Sequence, residues 1–522
     1  MRSAFLFFWL GLGVIAGAQN APSVRLDTIL LPDDTLMGGV GWGDVNGDGL
    51  IDLVLATRGG ERRLERRIDV HLARRPGGRF VSEPDTSLDI PADLTTFAVG
   101  DIHPDPGEEV LLLSAHRAVI WRVAKTGKER FVKAVDLPFL WQLPRNGRTT
   151  FYEEGLRDLN GDGLPDLIAP VSEGHAIFLQ RRPSSGGVAF EARGPLLLPE
   201  DLRLKPRSLS GDDEEGPARA DVSLTLRLPF GGKNRPPLVD TVERAPRPTL
   251  VDFDGDGAVD LMARTPTDVL VWTQAKGFRE QPSFRWKAPV LADRSRRLDP
   301  SYATRFLDLD GDHRSDAVIF AGDRRAKKPR TQILIYTQKK KPGTSPLFGE
   351  AGRPDQLLVV GGLVRFPQFV DVNGDELPDL VVASFRPELV GALAAATKEE
   401  VELEVLVFLN RSGRFDRQAT YRFPVGFVLE GFSSVGSGLG LRFVPDLNGD
   451  GEADLLLRTR RNRLEIRTLG REGKDKRELG RRLHRQKIAN DANLHIGPRP
   501  KGGGAWFLVE EDDRVVLVRV VR

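Results

Sequence analysis

Short apolar runs alternate with polar turns along the chain, and the runs recur in a fixed order. A strand-length run follows closely on a cluster of acids at 50–57 (LIDLVLAT), 108–115 (EEVLLLSA), 164–171, 258–265, 314–321, 377–384 (LPDLVVAS) and 452–459. After a polar, Gly- or Arg-rich turn comes a second run, at 68–75 (IDVHLARR), 117–125 (RAVIWRVAK), 175–182, 268–277, 331–341 (TQILIYTQKKK), 404–410 (EVLVFLN) and 462–469. A shorter apolar approach precedes the acids, as at 38–43, 95–100 and 302–307. Short β-forming runs bounded by turns at regular spacing predict an all-β repeat.

The acidic clusters set the period. Six segments match D-x-[DN]-x-D-x-x-x-D: 44–52 (DVNGDGLID), 158–166 (DLNGDGLPD), 252–260 (DFDGDGAVD), 308–316 (DLDGDHRSD), 371–379 (DVNGDELPD) and 446–454 (DLNGDGEAD). A seventh, 101–109 (DIHPDPGEE), keeps acids at positions 1, 5 and 9. Successive starts lie 57, 57, 94, 56, 63 and 75 residues apart, a unit near 57 with insertions at 199–247 and 386–402. Four strands fit in such a unit, which is one blade of a β-propeller. An eighth unit without carboxylates is expected at 492–496, the turn 497–504 (GPRPKGGG), 505–512 (AWFLVEED) and 514–522 (RVVLVRVVR). That unit is one strand short, and 23–31 (SVRLDTILL) is one strand spare. The predicted fold is therefore all-β: a single propeller of eight four-stranded blades, with seven as the alternative. The N-terminal strand would join the C-terminal blade and close the ring, leaving no open sheet edge.

Composition narrows the class. The 522 residues are 40% hydrophobic and 29% charged, a profile of folded rather than disordered protein. No cysteine is present, which excludes disulfides, thiolate metal sites and a cysteine nucleophile. Arg2, the apolar stretch 4–16 and the small residues Ala16-Gly17-Ala18 predict a signal peptide over 1–18, with the propeller over 19–522. The expected location is secreted or periplasmic. The stretch is too short to span ~30 Å of hydrocarbon, and no later segment reaches 18 apolar residues. No transmembrane segment is expected once the peptide is removed.

Within each acidic segment, side chains at positions 1, 3, 5 and 9 and the carbonyl of position 7 can converge on one point, as alternate positions do in an EF-hand loop. The candidate ligands are Asp44, Asn46, Asp48, Leu50 and Asp52 in the first loop, and Asp101, Asp105 and Glu109 in the second. The third has Asp158, Asn160, Asp162, Leu164 and Asp166; the fourth has Asp252, Asp254, Asp256, Ala258 and Asp260. The fifth has Asp308, Asp310, Asp312, Arg314 and Asp316, and the sixth Asp371, Asn373, Asp375, Leu377 and Asp379. The seventh has Asp446, Asn448, Asp450, Glu452 and Asp454. Hard oxygen donors suit Ca²⁺ rather than zinc or copper, and Mg²⁺ resists losing its own waters. Up to seven Ca²⁺ ions are expected. An ordinary Asx turn needs one or two such residues, not four at fixed offsets. Gly49, Gly163, Gly257 and Gly451 hold the turn at position 6, where His313 and Glu376 stand in two other loops.

The motif D-x-[DN]-x-D-G-x-x-D followed by an apolar strand resembles the calcium loop of FG-GAP or VCBS-type repeat proteins. That family includes the integrin α-chain propeller and many exported bacterial proteins. The resemblance spans about 23–522 and implies calcium bound between the first and second strands of a blade, on the face away from the usual ligand face. The phenylalanine-glycine and glycine-alanine-proline signatures are weak here.

Charge suggests a partner. The proposed loops use 23 of the 74 acids as ligands, leaving 51 acids against 76 bases. Basic clusters at Arg62, Arg63, Arg66 and Arg67, at Arg324, Arg325, Lys327, Lys328 and Arg330, and at Arg458, Arg460, Arg461 and Arg463 fall in turns opposite the acidic loops. A binding or adhesion scaffold for an anionic polysaccharide or an acidic protein is expected, with no nucleic-acid partner. The alternatives are a polysaccharide lyase and a structural component of envelope assembly. No G-x-S-x-G, H-E-x-x-H or P-loop motif is present, so no catalytic residue is assigned. Trp42, Trp121, Trp272 and Trp506 are expected in the core, and Trp141 and Trp286 at the surface.

Overall fold

The computed structural model describes residues 23–521 apart from 60–64, 76–77, 137–148, 153–154, 172, 185–186, 200–222, 228–237, 243–247, 265–267, 275–276, 288–303, 324–328, 339–347, 349–352, 386–399, 429–440, 445, 448–451, 459–462, 473–475, 490–491 and 498–505. Apart from one short 3-10 turn, Gly127–Arg130, the regular structure of the described residues is β. No described helix is long and apolar enough to cross a membrane.

The strands form eight antiparallel blades in chain order, an eight-bladed β-propeller. Blade 1 consists of Leu36–Gly43, Asp52–Gly59, Glu65–His71 and Thr86–Asp89, each paired with the next. In the other seven blades the first strands are Leu94–Gly100, Leu156–Arg157, Pro248–Val251, Thr304–Leu307, Leu363–Val370, Leu441–Val444 and Asn493–Ile496. Fourth strands such as Ala189–Leu197 and Gln356–Gly361 are largely exposed and form the rim, so the first strands lie toward the axis. In the 94-residue interval, Ser223–Arg227 and Leu238–Val242 pair as a separate hairpin within the expected insertion 199–247. Most of the second insertion, 386–399, lies outside the described residues.

Blade packing explains the apolar pattern. The core divides into eight clusters, and each straddles one junction between neighbouring blades. A central strand must therefore bury both faces, which is why Asp52–Gly59 and Glu109–Ser114 read as continuous apolar runs rather than alternating ones. Each fully buried Leu, Val or Phe there contributes about 1.5–3 kcal/mol. Trp121, Trp272 and Trp506 are core residues as expected, and Trp42 is partly buried against Trp506, edge to face at 5.2 Å. Trp286 corrects the sequence reading: it is 5% exposed, inside an aromatic cluster with Tyr336 and Phe348. Its strand, Phe284–Lys287, alternates buried and exposed, so the residue that fell outside the repeat pattern faces the junction. Trp141 lies outside the described residues.

Several arginines also correct the expectation of a solvated basic face. Arg66 and Arg458 are 7% and 8% exposed. Arg66 donates to the backbone carbonyls of Leu94, Pro91 and Ala92, at the entry to blade 2. Arg264 donates to the Thr304 carbonyl of blade 5 at 2.7 Å. Each cation caps carbonyls of the next blade, because those groups sit at junctions that water does not reach. Arg62, Arg63, Arg324, Arg325, Lys327, Lys328, Arg460 and Arg461 lie outside the described residues.

Ring closure follows the expected scheme. Ser23–Leu30 pairs antiparallel with Arg514–Val521 over its whole length, from Ser23 opposite Val521 to Leu30 opposite Arg514. The N-terminal strand is thus the fourth strand of blade 8, whose others are Asn493–Ile496, Trp506–Glu510 and Arg514–Val521. Arg519 clasps the seam: it pairs with Asp27 at 2.9 Å, donates to the Gly78 carbonyl of blade 1, and lies over the Phe80 and Trp506 rings. One strand sits deeper than the rest. Thr150–Phe151 adds in parallel to the axial edge of blade 2 and fits against blade 1 only because Gly38 and Gly39 lack side chains. A Cβ on Gly39 would lie 2.4 Å from the Phe151 nitrogen.

Deleting residues 19–31 should bare the Arg514–Val521 edge, and an unpaired apolar edge invites edge-to-edge association. Light scattering after size exclusion should show oligomers and loss of the sharp melting transition. A monomer with unchanged melting would contradict the clasp.

Candidate metal centres

Each acidic loop joins the first strand of its blade to the second. In five of them the backbone is held by the same bonds. The position-1 carboxylate accepts amides from the turn: Asp158 from Gly161 at 2.7 Å and Gly163 at 2.8 Å, and Asp371 from Gly374 at 2.7 Å and Glu376 at 2.8 Å. Asp252 and Asp308 do the same, and Asp44 accepts the amides of Asp48 and Gly49. The position-5 carboxylate accepts the amide of position 7, so Asp48, Asp162, Asp256, Asp312 and Asp375 fix Leu50, Leu164, Ala258, Arg314 and Leu377. At position 3, the amide nitrogens of Asn46, Asn160 and Asn373 donate to the position-5 acid, and their oxygens accept its backbone amide.

The turn needs left-handed backbone twice. Position 6 has φ between 66° and 85° whether it is Gly49, Gly163, Gly257, His313 or Glu376. His313 and Glu376 therefore keep the loop shape, at a strain of about 1–2 kcal/mol each. The second left-handed residue is position 4, where Gly47, Gly161, Gly255, Gly311 and Gly374 have φ of 74–80°. The glycine at position 4 was present in all six strict loops and went unused in the sequence reading.

Position 9 is the fixed point of every loop. Asp52, Asp166, Asp260, Asp316, Asp379 and Asp454 are at most 1% exposed, and Glu109 is 4%. One oxygen accepts the amide of position 2, at 2.7–3.1 Å in the six Asp loops. In five loops the other oxygen accepts an amide at the end of the third strand, that of Gln180 in its last residues or of Ala73, Gln274, Gln338 or Asn410 just past it, at 2.7–2.8 Å. The second strands accordingly begin at position 9 itself, two residues later than the apolar pattern placed most of them. Position 2 was a second missed signal: Val45, Ile102, Leu159, Phe253, Leu309, Val372 and Leu447 are all apolar and at most 2% exposed. Two amide side chains then tie loop to loop: Gln180 donates to the Ile102 carbonyl and Asn410 to the Leu309 carbonyl, both at 2.7 Å and both in the preceding blade.

Burial dominates the electrostatics. It pushes the Asp52, Asp260 and Asp379 carboxyls up to about 6, and Asp316 and Glu109 up to about 7, against two backbone hydrogen bonds in each case. Neighbouring loop acids add to the rise. Asp166, Asp254 and Asp310 are raised for the same reasons. Asp252, Asp254 and Asp260 each bring a carboxylate oxygen within 4.8 Å of the others, and so do Asp308, Asp310 and Asp316. One Asp254 oxygen is buried with no hydrogen-bond partner. Clustered anionic oxygens of this kind, one left unsatisfied, fit a hard divalent cation.

The second loop is built differently. Asp105 is hydrogen-bonded and ion-paired to Arg122, with Lys125 at 3.5 Å, while Asp101 is exposed. Arginine occupies the acid that the sequence offered as a ligand, and Pro104 stands where the other loops need a left-handed glycine. Glu109 still binds the amides of Ile102 and His103, so the structural half of the motif survives there. In the seventh loop Asp454 takes its place against Leu447, while Asn448 and Asp450 lie outside the described residues.

No protein-family model matches the chain, and no curated relative does. Among solved structures it is similar to a lectin from Agrocybe aegerita that recognises non-reducing terminal N-acetylglucosamine (15% identity, 90% of this chain and 94% of that one, TM-score 0.38). It is also similar to Sqt1 from Chaetomium thermophilum (11% identity, 94% and 97%, TM-score 0.42) and to the V. cholerae biofilm matrix protein Bap1 (12% identity, 96% and 88%, TM-score 0.30).

Asp260→Ala would strip the acceptor from the buried amide of Phe253 and the half-buried amide of Gln274. Urea unfolding in calcium-free buffer should show a loss of about 3 kcal/mol. A loss within error of zero would mean the carboxylate serves only as a metal ligand.

Proposed function

We propose that this chain is an exported β-propeller of the FG-GAP/VCBS type, in which Ca²⁺ at the blade loops stabilises a scaffold that binds an anionic partner. The observation that carries the calcium reading is the fourth loop. Asp252, Asp254 and Asp260 gather their oxygens within 4.8 Å, and a buried Asp254 oxygen lacks a donor. In that loop Asp252, Asp254, Asp256, Asp260 and the Ala258 carbonyl would hold the ion; in the fifth the set is Asp308, Asp310, Asp312, Asp316 and the Arg314 carbonyl. The loops beginning at Asp44, Asp158, Asp371 and Asp446 follow the same design. Bound calcium would supply positive charge to carboxylates that burial otherwise drives toward protonation. The role is structural: neutralising these acids lets eight blades close without sulfur bridges. Binding is the activity assigned, with no catalytic step.

Thermal melting with excess Ca²⁺ and with EGTA tests the metal reading. A ligand at 100 times its Kd raises stability by about 2.7 kcal/mol, so Ca²⁺ should raise the midpoint by several degrees and Mg²⁺ much less. Coincident curves in Ca²⁺ and EGTA would sink it. Export is checked separately by N-terminal sequencing of the mature protein, which should begin at Gln19.

A further inference from the structure

Closing the ring leaves the fourth strand of each blade as an outer edge, and such edges are ordinarily guarded by charge, proline or shortness. Blades 1 to 4 and 6 to 8 follow that rule. Thr86–Asp89 is four residues long, Ala189–Leu197 carries Glu191, Arg193 and Pro195, and Tyr421–Val428 carries Arg422 and Pro424. Lysine, arginine or aspartate stands in Phe131–Asp136, Phe284–Lys287, Lys476–Lys487 and Ser23–Leu30. Gln356–Gly361 (QLLVVG), the fourth strand of blade 5, holds no charged residue and no proline. Its Leu357 and Val359 are 49% and 54% exposed. This edge is unguarded in sequence and apolar at its surface.

The strand is also held in place. Leu358 and Val360 are 2% exposed, in the cluster between blades 5 and 6. Gln356 spans that junction: its side-chain nitrogen donates to the Phe415 carbonyl at 2.6 Å, and its side-chain oxygen accepts the Phe415 amide at 2.9 Å. On its inner side the strand pairs antiparallel with the third strand, from Gln356 opposite Ile335 to Gly361 opposite Arg330. The Gly362 amide continues that register onto the Pro329 carbonyl at 2.8 Å, so the even-numbered residues bond inward. By the same alternation the amides and carbonyls of Leu357 and Val359 point off the edge, on the two residues whose side chains are exposed. An ordered edge with apolar side chains at alternate positions is the surface that strand addition uses, and its order keeps the entropic cost of pairing low.

We propose that this edge pairs with the same edge of a second copy of the chain, antiparallel about a two-fold axis through Leu358. That register sets Leu357 opposite Val359 of the second copy and each outward amide against a carbonyl. It sets Asp355 opposite Gly361, so no like charges meet, and the charge-free strand offers a charged partner nothing. A two-fold contact of this kind is self-complementary and closes at two subunits. Two propellers joined at their rims would carry two copies of any ligand face, which multiplies attachment to a repetitive partner. The inference goes beyond the scaffold reading and needs neither calcium nor an anionic partner. Because only short strands meet, the contact falls below the ~1,200 Å² of a stable complex, and the dimer is weak. Sedimentation equilibrium of the full chain tests it, at loadings from about 1 μM to about 1 mM, which span firm to weak affinities. A monomer–dimer equilibrium is expected. Val359→Pro removes an outward amide without touching the ladder to the third strand, and should weaken dimerisation at least about tenfold, equivalent to about 1.4 kcal/mol. Val359→Lys should do the same with melting unchanged, and serves if the proline prevents folding. Leu30→Lys, at the 62% exposed Leu30 of blade 8, should leave the equilibrium as it is. A chain that is monomeric at every loading overturns the proposal. So does a dimer that the folded Val359 variants leave intact, or that Leu30→Lys weakens equally.

Discussion

The buried carboxylate that opens the second strand in seven of the eight blades ties the local turn to the blade and the blade to the ring. With one oxygen it holds the loop's second residue, whose apolar side chain plugs a blade junction. With the other it commonly holds an amide at the end of the third strand. A carboxylate can accept several amides at once, and no neutral side chain of similar size offers two equivalent acceptors. The arrangement recurs even at Glu109, where a longer side chain reaches two successive amides instead.

That choice has an electrostatic consequence. An acid with near-zero exposure, surrounded by two to three others, is costly as an anion, and burial raises its pKa toward neutrality. One remedy is visible around the ring and a second is proposed. In the second loop a nearby arginine supplies the balancing charge, through Arg122 and Asp105. In the fourth and fifth loops the acids stay gathered on one point, as a divalent cation requires. The second loop thus sets a basic side chain beside its acid, whereas the fourth and fifth leave their acids on one point, where the proposed Ca²⁺ would supply the counter-charge.

Cationic groups are managed by place as well. Arg66, Arg264 and Arg458 are drawn into junctions to cap carbonyls of the following blade. Arg519 closes the seam between the chain's two ends. Arg305 and Arg442 instead line an open axial cavity bordered by the first strands of blades 5, 6 and 7. Arginine suits all three tasks because its planar head offers several donors and a long apolar stem.

The periodic acids and the two apolar runs after them determined, by themselves, the class of fold and the closing strand, and favoured eight blades over seven. The class of fold is written in residues close together in the chain, nine-residue loops and short strands, and the closing strand in a count of strands, one spare at one end and one missing at the other. Position 4 glycine and the apolar position 2 were also legible, as repeated letters whose purpose the turn geometry and the junctions supply. Tertiary structure alone decided the rest. The Gln180 latch spans 78 residues and the Asn410 latch 101, so no local pattern announces them. Arg66 and Trp286 looked like surface groups because their neighbours in sequence are polar, yet the next blade covers both. The axial cavity exists only where strands from three blades converge, and a contact made by the closing of a ring leaves no mark on any one segment.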